Sequence, residues 1–291
     1  MTWPILILLS AIATSLSEIL TKPALKLGGI LKFGFGFYCL NLILVLPLVF
    51  FWQQLDLSLN QQELGFIIVL SILYGLLTLY GLKVIKKMEL SSAIPLLEIN
   101  LPLVFIFGLL LLAELPTVMQ IGGIALIMFG SYLITLEEGH RVHLPFKRLL
   151  QTKNFHSILL VIAISVAAII LERAILITVS PISVFFWTRV FATLFFLFAI
   201  LGQREKRLFK TALTYSGWLM PLIVLANIFA VMFYFYALSQ PEALVSIATA
   251  LSKLELLMIV LIGGLFLKEH NLKQKAFASS LIVAGSIAII I

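Results

Sequence analysis

Ten long apolar stretches, separated by short polar breaks, dominate this sequence. A helix needs about 20 residues to cross the ~30 Å hydrocarbon core of a bilayer. A transmembrane β-barrel would instead show ~10-residue segments that alternate apolar and polar residues, and these stretches do not alternate. The sequence therefore predicts an all-α integral membrane protein with ten transmembrane helices. Their expected ranges are 3–22, 33–52, 64–83, 92–112, 117–136, 157–178, 181–201, 213–237, 243–267 and 271–291.

The composition excludes several functional classes. Apolar side chains make up 62% of the 291 residues and charged ones 11%, against about 45–50% and about 25% in soluble domains. The apolar excess must face lipid, because a single soluble core could not bury it. This excludes most soluble enzymes and a nucleic-acid partner for the +7 charge. The lone cysteine, Cys39, excludes a disulfide framework and a cysteine-based metal site.

The sequence also lacks the usual signatures of catalysis and of cofactor binding. No GxxxxGK[ST] loop occurs, so we do not expect ATP-driven transport by this chain alone. Neither an apposed Ser/His pair nor a histidine lies inside a predicted span, so we do not expect an enzyme. His140 and His143 stand in a basic loop without further ligands, and we expect no metal and no other cofactor.

The basic residues predict how the chain is oriented in the membrane. Seventeen of the 20 lysines and arginines lie in the loops after helices 1, 3, 5, 7 and 9. By the positive-inside rule, these loops are cytoplasmic. Both termini are then extracytoplasmic, and we expect a multi-pass protein of the plasma (inner) membrane.

The two halves of the sequence resemble each other. A shift of 155 positions pairs Glu114 with Glu269 and Gly130-Ser131 with Gly285-Ser286. Each half then contributes five helices and, because five is odd, the halves are inverted relative to each other. Inverted repeats are typical of secondary transporters, whose binding sites lie near mid-membrane between the repeats. We expect a first repeat over 1–136, a cytoplasmic linker over 137–156 and a second repeat over 157–291.

The repeated motif resembles a known family. The segment from Leu90 to Pro102, followed by an apolar helix, Glu114, Gly122-Gly123 and Gly130, is similar to an EamA-like domain. The resemblance implies membership of the drug/metabolite transporter superfamily. It also implies a fold of ten helices in two inverted five-helix repeats, and it covers the whole chain.

Charged residues inside the predicted helices are candidates for function, because each costs roughly 2.5–3.5 kcal/mol near the bilayer centre. The 155-residue shift pairs Glu98 with Lys253, which could form a structural ion pair or line a substrate cavity. Arg189 could bind a substrate carboxylate or phosphate bidentately, or it could neutralise Glu172. These charged residues are Glu18, Glu98, Glu172, Arg173, Arg189, Lys253 and Glu255.

Two further features bear on the site. Pro95 and Pro102 flank Glu98 and Asn100, which predicts either an interrupted helix at a binding site or an ordinary kink.

The run that begins at Glu18 resembles the first helix of the small multidrug resistance transporters. That resemblance implies proton coupling through Glu18, with Glu172 as a candidate partner. Alternatively, Glu18 pairs with Lys22, one turn away.

Together these features predict a secondary active transporter that exports small polar or amphipathic metabolites, such as amino acids, by alternating access. One alternative is proton-coupled export of organic cations or drugs through Glu18 and Glu172, and another is a flippase for lipid-linked head groups. The expected partners are a small-molecule substrate, protons as a candidate coupling ion and the lipid bilayer; monomer and homodimer both remain open. The candidate substrate-binding residues are Glu98, Asn100, Arg189, Lys253, Glu255, Tyr74, Trp187, Asn227 and Tyr234.

Overall fold

The computed structural model describes residues 2–25, 29–51, 59–87, 100–134, 155–202, 219–258 and 272–290. Within these ranges the chain forms ten main helices and no strands, which confirms the all-α fold. The helices are α1 (Trp3–Leu25), α2 (Ile30–Phe51), α3 (Gln61–Lys87), α4 (Asn100–Leu111), α5 (Val118–Ile134), α6 (Phe155–Leu176), α7 (Pro181–Leu201), α8 (Leu219–Leu238), α9 (Val245–Ser252) and α10 (Leu272–Ile290).

Six of these helices, α1, α2, α3, α6, α7 and α8, are long and apolar enough to cross a membrane. The α1 helix shows how they face lipid. Ile5, Leu8 and Ile12 recur at helical spacing and are 36–49% exposed, whereas Ile7 and Ala11 are buried. A stripe of exposed large apolar residues on one face and a buried opposite face is what a helix at the edge of a membrane bundle requires.

Short polar motifs start several of the helices. Asn60 and Glu63 cap α3 reciprocally: Glu63 N donates to Asn60 Oδ1 at 2.8 Å, and Asn60 N donates to Glu63 Oε2 at 3.0 Å. Thr117 and Gln120 form the same arrangement before α5. Each motif satisfies backbone N–H groups that a helix leaves without an intrahelical partner. The helix boundaries therefore follow from local sequence as well as from hydropathy.

The helix contacts are symmetric under exchange of the two halves. The α1 helix packs against α8, and α6 packs against α3; likewise α1 meets α9, and α6 meets α4. The pairs α2–α7, α4–α9 and α5–α10 are each in contact, as expected of equivalent helices around a two-fold axis. This is the pattern that two five-helix repeats produce.

Glycines allow the closest approach, between α5 and α10. A Cβ atom at Gly123 would lie 2.7 Å from the carbonyl oxygen of Gly285, and one at Gly285 would lie 2.6 Å from that of Gly123. A side chain on either residue would separate the two backbones. The pairing of these equivalent helices thus depends on one glycine in each of them.

The α7 helix, which carries Arg189, is fixed by two other glycines. The ring of Phe196 fills the space beside Gly34 of α2. The ring of Phe195 lies beside Gly75 of α3, so close that a Cβ atom at Gly75 would be 2.5 Å from a ring carbon. These contacts attach α7 to two helices of the first half. They determine where Arg189 sits relative to the side chains of α2 and α3.

The α9 helix is interrupted beside one of the predicted membrane charges. It ends at Ser252, Lys253 forms a turn, and residues 254–258 are helical again. The interruption predicted for helix 4, with Pro95 and Glu98, lies outside the described residues, as do Glu269 and most of the predicted linker over 137–156. The break observed within the described residues is thus at the end of α9, the helix of the second repeat that corresponds to helix 4.

Candidate functional site

Arg189 lies inside the bundle, enclosed by aromatic rings. It is the ninth residue of the 21-residue α7, about 12 Å along that helix from its start, and its side chain is only 3% exposed. Its guanidinium carbon is 4.6 Å from the ring centre of Phe185, 5.5 Å from that of Tyr38 and 5.9 Å from that of Tyr74. The aromatic faces attract the cation, and Tyr38 and Tyr74 belong to the other half of the molecule.

The guanidinium has no anionic partner among the described residues. No described carboxylate lies within 4.0 Å of it, and its buried Nε has no hydrogen-bond acceptor there. A buried charge without a partner is expensive, and ring faces leave the N–H edge of a guanidinium without an acceptor. The arrangement can therefore accept an anionic group in the plane of the guanidinium.

Glu172 of α6 lies in the same cluster but does not contact Arg189. It is 6% exposed, and its Oε1 accepts a hydrogen bond from the hydroxyl of Tyr74. Arg189 acts on it electrostatically, without an ion pair within 4.0 Å. The sequence left two roles open for Arg189, and one of them was to neutralise Glu172. Among the described residues, Arg189 forms no direct ion pair with Glu172.

Tyr38 holds this cluster together, although the sequence did not single it out. Its hydroxyl lies 3.1 Å from Thr78 Oγ1, and its ring stacks on Phe196 with the centroids 5.3 Å apart. One face thus packs against α7 while the hydroxyl is bonded to α3. Tyr38 is one of seven tyrosines and Phe185 is one of 23 phenylalanines. No local sequence pattern marks the ones that face Arg189.

Asn100 of α4 reaches the same face of α6. Its Nδ2 donates to Ser165 Oγ at 3.4 Å, and its buried Oδ1 has no donor among the described residues. Ser165 precedes Glu172 by seven residues, so both lie on one face of the helix. The sequence-predicted Asn100 is therefore about two helical turns from Glu172 along α6.

The α8 helix adds Asn227 and Tyr234, which are seven residues apart and also share a face. Tyr234 has Thr249 of α9 as a side-chain hydrogen-bond neighbour and interacts electrostatically with Glu172 and Glu255. Asn227 has a buried Oδ1 without a donor among the described residues. Tyr234 links the Glu172 cluster to α9. Just beyond the end of α9, Lys253 is 7% exposed and Glu255 is half-buried.

Two of the predicted site residues, Trp187 and Glu18, are not brought to Arg189. Trp187 is two residues away on α7, about 200° around the helix, and packs against Phe186 and Phe191. Glu18 is exposed, although it shares a helix face with the buried Ile7 and Ala11, and its helix packs against α8 and α9 rather than α6. Glu98 lies outside the described residues, so its predicted pairing with Lys253 stays a prediction.

A second charged cluster lies where the α4–α5 connection meets α9. Glu114 is 7% exposed; it accepts hydrogen bonds from Val245 N at 2.8 Å (to Oε1) and 2.9 Å (to Oε2). Leu244 provides no side-chain cap for α9, so a carboxylate from the other half performs that role. Ala113, at a φ of 53°, turns the chain just before Glu114.

Arg173 completes this cluster. Its Nε lies 3.6 Å from Glu114 Oε1, and its other nitrogens donate to the carbonyls of Leu238, Gln240 and Pro241. Burial raises the pKa of the Glu114 carboxyl, and the amides of α9 and the Arg173 guanidinium act to lower it. The sequence marked Glu114 only as a repeat signature and Arg173 only as a membrane charge; their pairing spans 59 positions and needs the tertiary fold.

Comparison with known proteins decides the family. The model of the EamA-like transporter family matches residues 1–136 and 154–291, nearly the whole chain in two halves. The chain belongs to the EamA-like transporter family. Among curated proteins, no significant sequence match exists. A solved structure described only as "Crystal structure of protein" superposes with a TM-score of 0.65 over 99% of this chain and 96% of that one, at 15% identity, which shows the fold alone.

Family and fold together confirm part of the sequence-based prediction. As an EamA-like transporter, the chain is a multi-pass membrane protein that transports small molecules. Its ten helices lie in repeated halves, as the resemblance implied. The charged clusters described above each contain side chains from both halves.

Proposed function

We propose that this EamA-like transporter is a secondary active transporter that moves small polar or amphipathic metabolites bearing a carboxylate, such as amino acids, out of the cell. The observation that carries the proposal is Arg189: a guanidinium 3% exposed, surrounded by rings from both halves and without a carboxylate within 4.0 Å among the described residues. A substrate carboxylate would provide the missing charge and hydrogen bonds.

The chemistry of the cluster favours a zwitterion. A guanidinium binds a carboxylate through two parallel N–H···O bonds, which fixes both position and orientation. Glu172 lies in the same cluster and is held by the neutral hydroxyl of Tyr74, so its charge is available to a substrate ammonium. One buried cation and one buried anion match a molecule that carries one of each.

The positions of these groups in the two halves support alternating access. Tyr38 and Tyr74 belong to the first half, and Arg189, Phe185 and Glu172 to the second. We take residues 1–136 and 157–291 as the two units that rock about the site. The 17 loop cations support a plasma-membrane orientation with extracytoplasmic termini.

A counterflow screen in proteoliposomes tests this function. Vesicles are preloaded with each unlabelled amino acid or with the corresponding amine that lacks the carboxylate, and uptake of the labelled compound is measured. We expect counterflow for at least one amino acid and none for its decarboxylated amine. Counterflow of the amines alone, or of no amino acid, would refute the proposal.

Glu18 supports a second candidate, proton-coupled export of organic cations. Its carboxylate is exposed on the face of α1 that also carries buried Ile7 and Ala11, so it is accessible on an inward-facing side of the helix. In this case Glu18→Gln abolishes cation transport driven by a pH gradient. Persistent pH-driven transport in that variant removes the second candidate.

A further inference from the structure

The Glu172–Tyr74–Arg189 cluster bears on the coupling ion as well as on the substrate. The titratable side chains that interact with Glu172 are Tyr74 on α3, Arg189 on α7 and Tyr234 on α8. Tyr234 also interacts with Glu255, which lies two residues after the buried Lys253 and just beyond α9. The described part of α4 carries no charged residue. Of these groups, Tyr74 contacts the carboxylate directly, and Arg189 acts on it electrostatically from beyond 4.0 Å.

We propose that this cluster keeps a constant total charge, so that a net-anionic substrate binds together with one proton on Glu172, whereas a zwitterion binds without one. This inference rests on the proposed function, because it requires a substrate carboxylate at Arg189. The proton comes from bulk water and forms an O–H bond on the Glu172 carboxylate. No electron transfer is involved.

The charge balance gives the reason. In the empty site, the Glu172 anion is offset by the Arg189 cation. A bound carboxylate takes Arg189 as its own partner and leaves one uncompensated negative charge in a buried site, which is strongly unfavourable. A zwitterion supplies its own ammonium to offset that charge. A substrate without a cationic group does not, and a proton on Glu172 then offsets it.

Tyr74 can serve both protonation states. Its hydroxyl donates a hydrogen bond to the Glu172 carboxylate, and it can accept one from the protonated acid. The Tyr74–Glu172 contact therefore need not break when the proton is gained. Tyr74 is in this sense a positioning residue for the proton site.

The test compares proton uptake for two related ligands on the full-length protein in weakly buffered detergent solution. The probes are the amino acid with the strongest counterflow and its N-acetyl derivative, which keeps the carboxylate and loses the ammonium. A pH indicator reports protons taken up per ligand bound at saturation. We expect about one proton for the N-acetyl derivative and about none for the amino acid.

Glu172→Gln provides the second arm, with Glu242→Gln as the matched control because Glu242 is exposed on the α8–α9 connection. In wild type and in Glu242→Gln, affinity for the N-acetyl derivative should weaken by up to ~tenfold per pH unit as pH rises. In Glu172→Gln, both the uptake and this pH dependence should disappear while binding persists.

The outcomes separate this inference from the proposed function. Equal proton uptake for both ligands in wild type would overturn the coupling while leaving carboxylate binding intact, and this result needs no variant to fold. Undiminished proton uptake in Glu172→Gln would also overturn the coupling. Failure of the N-acetyl derivative to bind at any pH from 5 to 8 would overturn it too. If neither ligand binds, the proposed function itself fails.

Discussion

Arg173 and Arg189 lie 16 positions apart and are 6% and 3% exposed, yet their surroundings differ. Arg173 donates to three backbone carbonyls and faces the Glu114 carboxylate. Arg189 faces three aromatic rings and no described carboxylate within 4.0 Å. The first arginine is satisfied by the protein itself, whereas the second has no such carboxylate or carbonyl partner among the described residues.

This difference predicts opposite effects of one substitution. Arg173→Met should lower the free energy of unfolding by about 3–5 kcal/mol, because it leaves Glu114 buried without its ionic partner. Arg189→Met should leave stability unchanged or raise it, because it removes a buried charge that forms no ion pair within 4.0 Å among the described residues, and Glu172, whose charge it offsets from farther away, can take up a proton instead. Thermal unfolding in detergent measures both. A large loss of stability in Arg189→Met would show that the guanidinium has a structural partner.

Residue identity was the easier part of the site to predict from sequence. Arg189 and Glu172 stood out because charged groups are costly inside apolar spans, and Tyr74 and Tyr234 were candidates for polar or stacking contacts. The other two rings at Arg189, those of Tyr38 and Phe185, could not be found from sequence, since aromatic residues are ordinary in a membrane helix. The role of Glu114 as the cap of α9 depends on two segments that are 131 positions apart.

At the level of helices, hydropathy located the elements well. The predicted span 181–201 coincides with α7. This helix begins at Pro181 and is capped by Ser180, whose Oγ accepts a hydrogen bond from Ser183 N. Prolines drew attention to an interruption in helix 4, but the described interruption is at Lys253 of the repeat-related helix. No proline or glycine marks that turn, so sequence pattern could not indicate it.

The α5–α10 contact gives a prediction at this scale. Gly285→Ala places a methyl group 2.6 Å from a backbone oxygen, and overpacking of this kind costs typically 1–3 kcal/mol. The control is Gly122→Ala in α5, where a Cβ meets no atom within 4 Å. Gly122→Ala should be neutral or stabilising, by up to ~1 kcal/mol from helix propensity. Equal melting temperatures for the two variants would contradict the close packing.

For the whole molecule, the symmetric helix contacts connect fold to function. Each half contributes rings or charges to the Arg189 cluster, so relative motion of the halves must change the site. The second cluster joins the same halves through Glu114 and the start of α9. The fold class was predictable from the repeat, whereas these cross-half contacts were not.

The predicted orientation can be tested by labelling in a Cys39→Ser background. Glu242 and Gly29 are both exposed, and the predicted topology places them on opposite sides of the membrane. A membrane-impermeant maleimide should label Glu242→Cys in intact cells and Gly29→Cys only after permeabilisation. The reverse pattern would show that the termini are cytoplasmic.

The central claim is that Arg189 binds the substrate carboxylate. The most direct measurement is counterflow of the best amino acid substrate by wild type, Arg189→Lys and Arg189→Met in matched proteoliposomes. Loss of a buried charge partner costs about 2–5 kcal/mol, so Arg189→Met should retain less than about 3% of wild-type transport. Arg189→Lys should retain an intermediate fraction, because it keeps the charge without the bidentate geometry. Undiminished counterflow by Arg189→Met would contradict the claim.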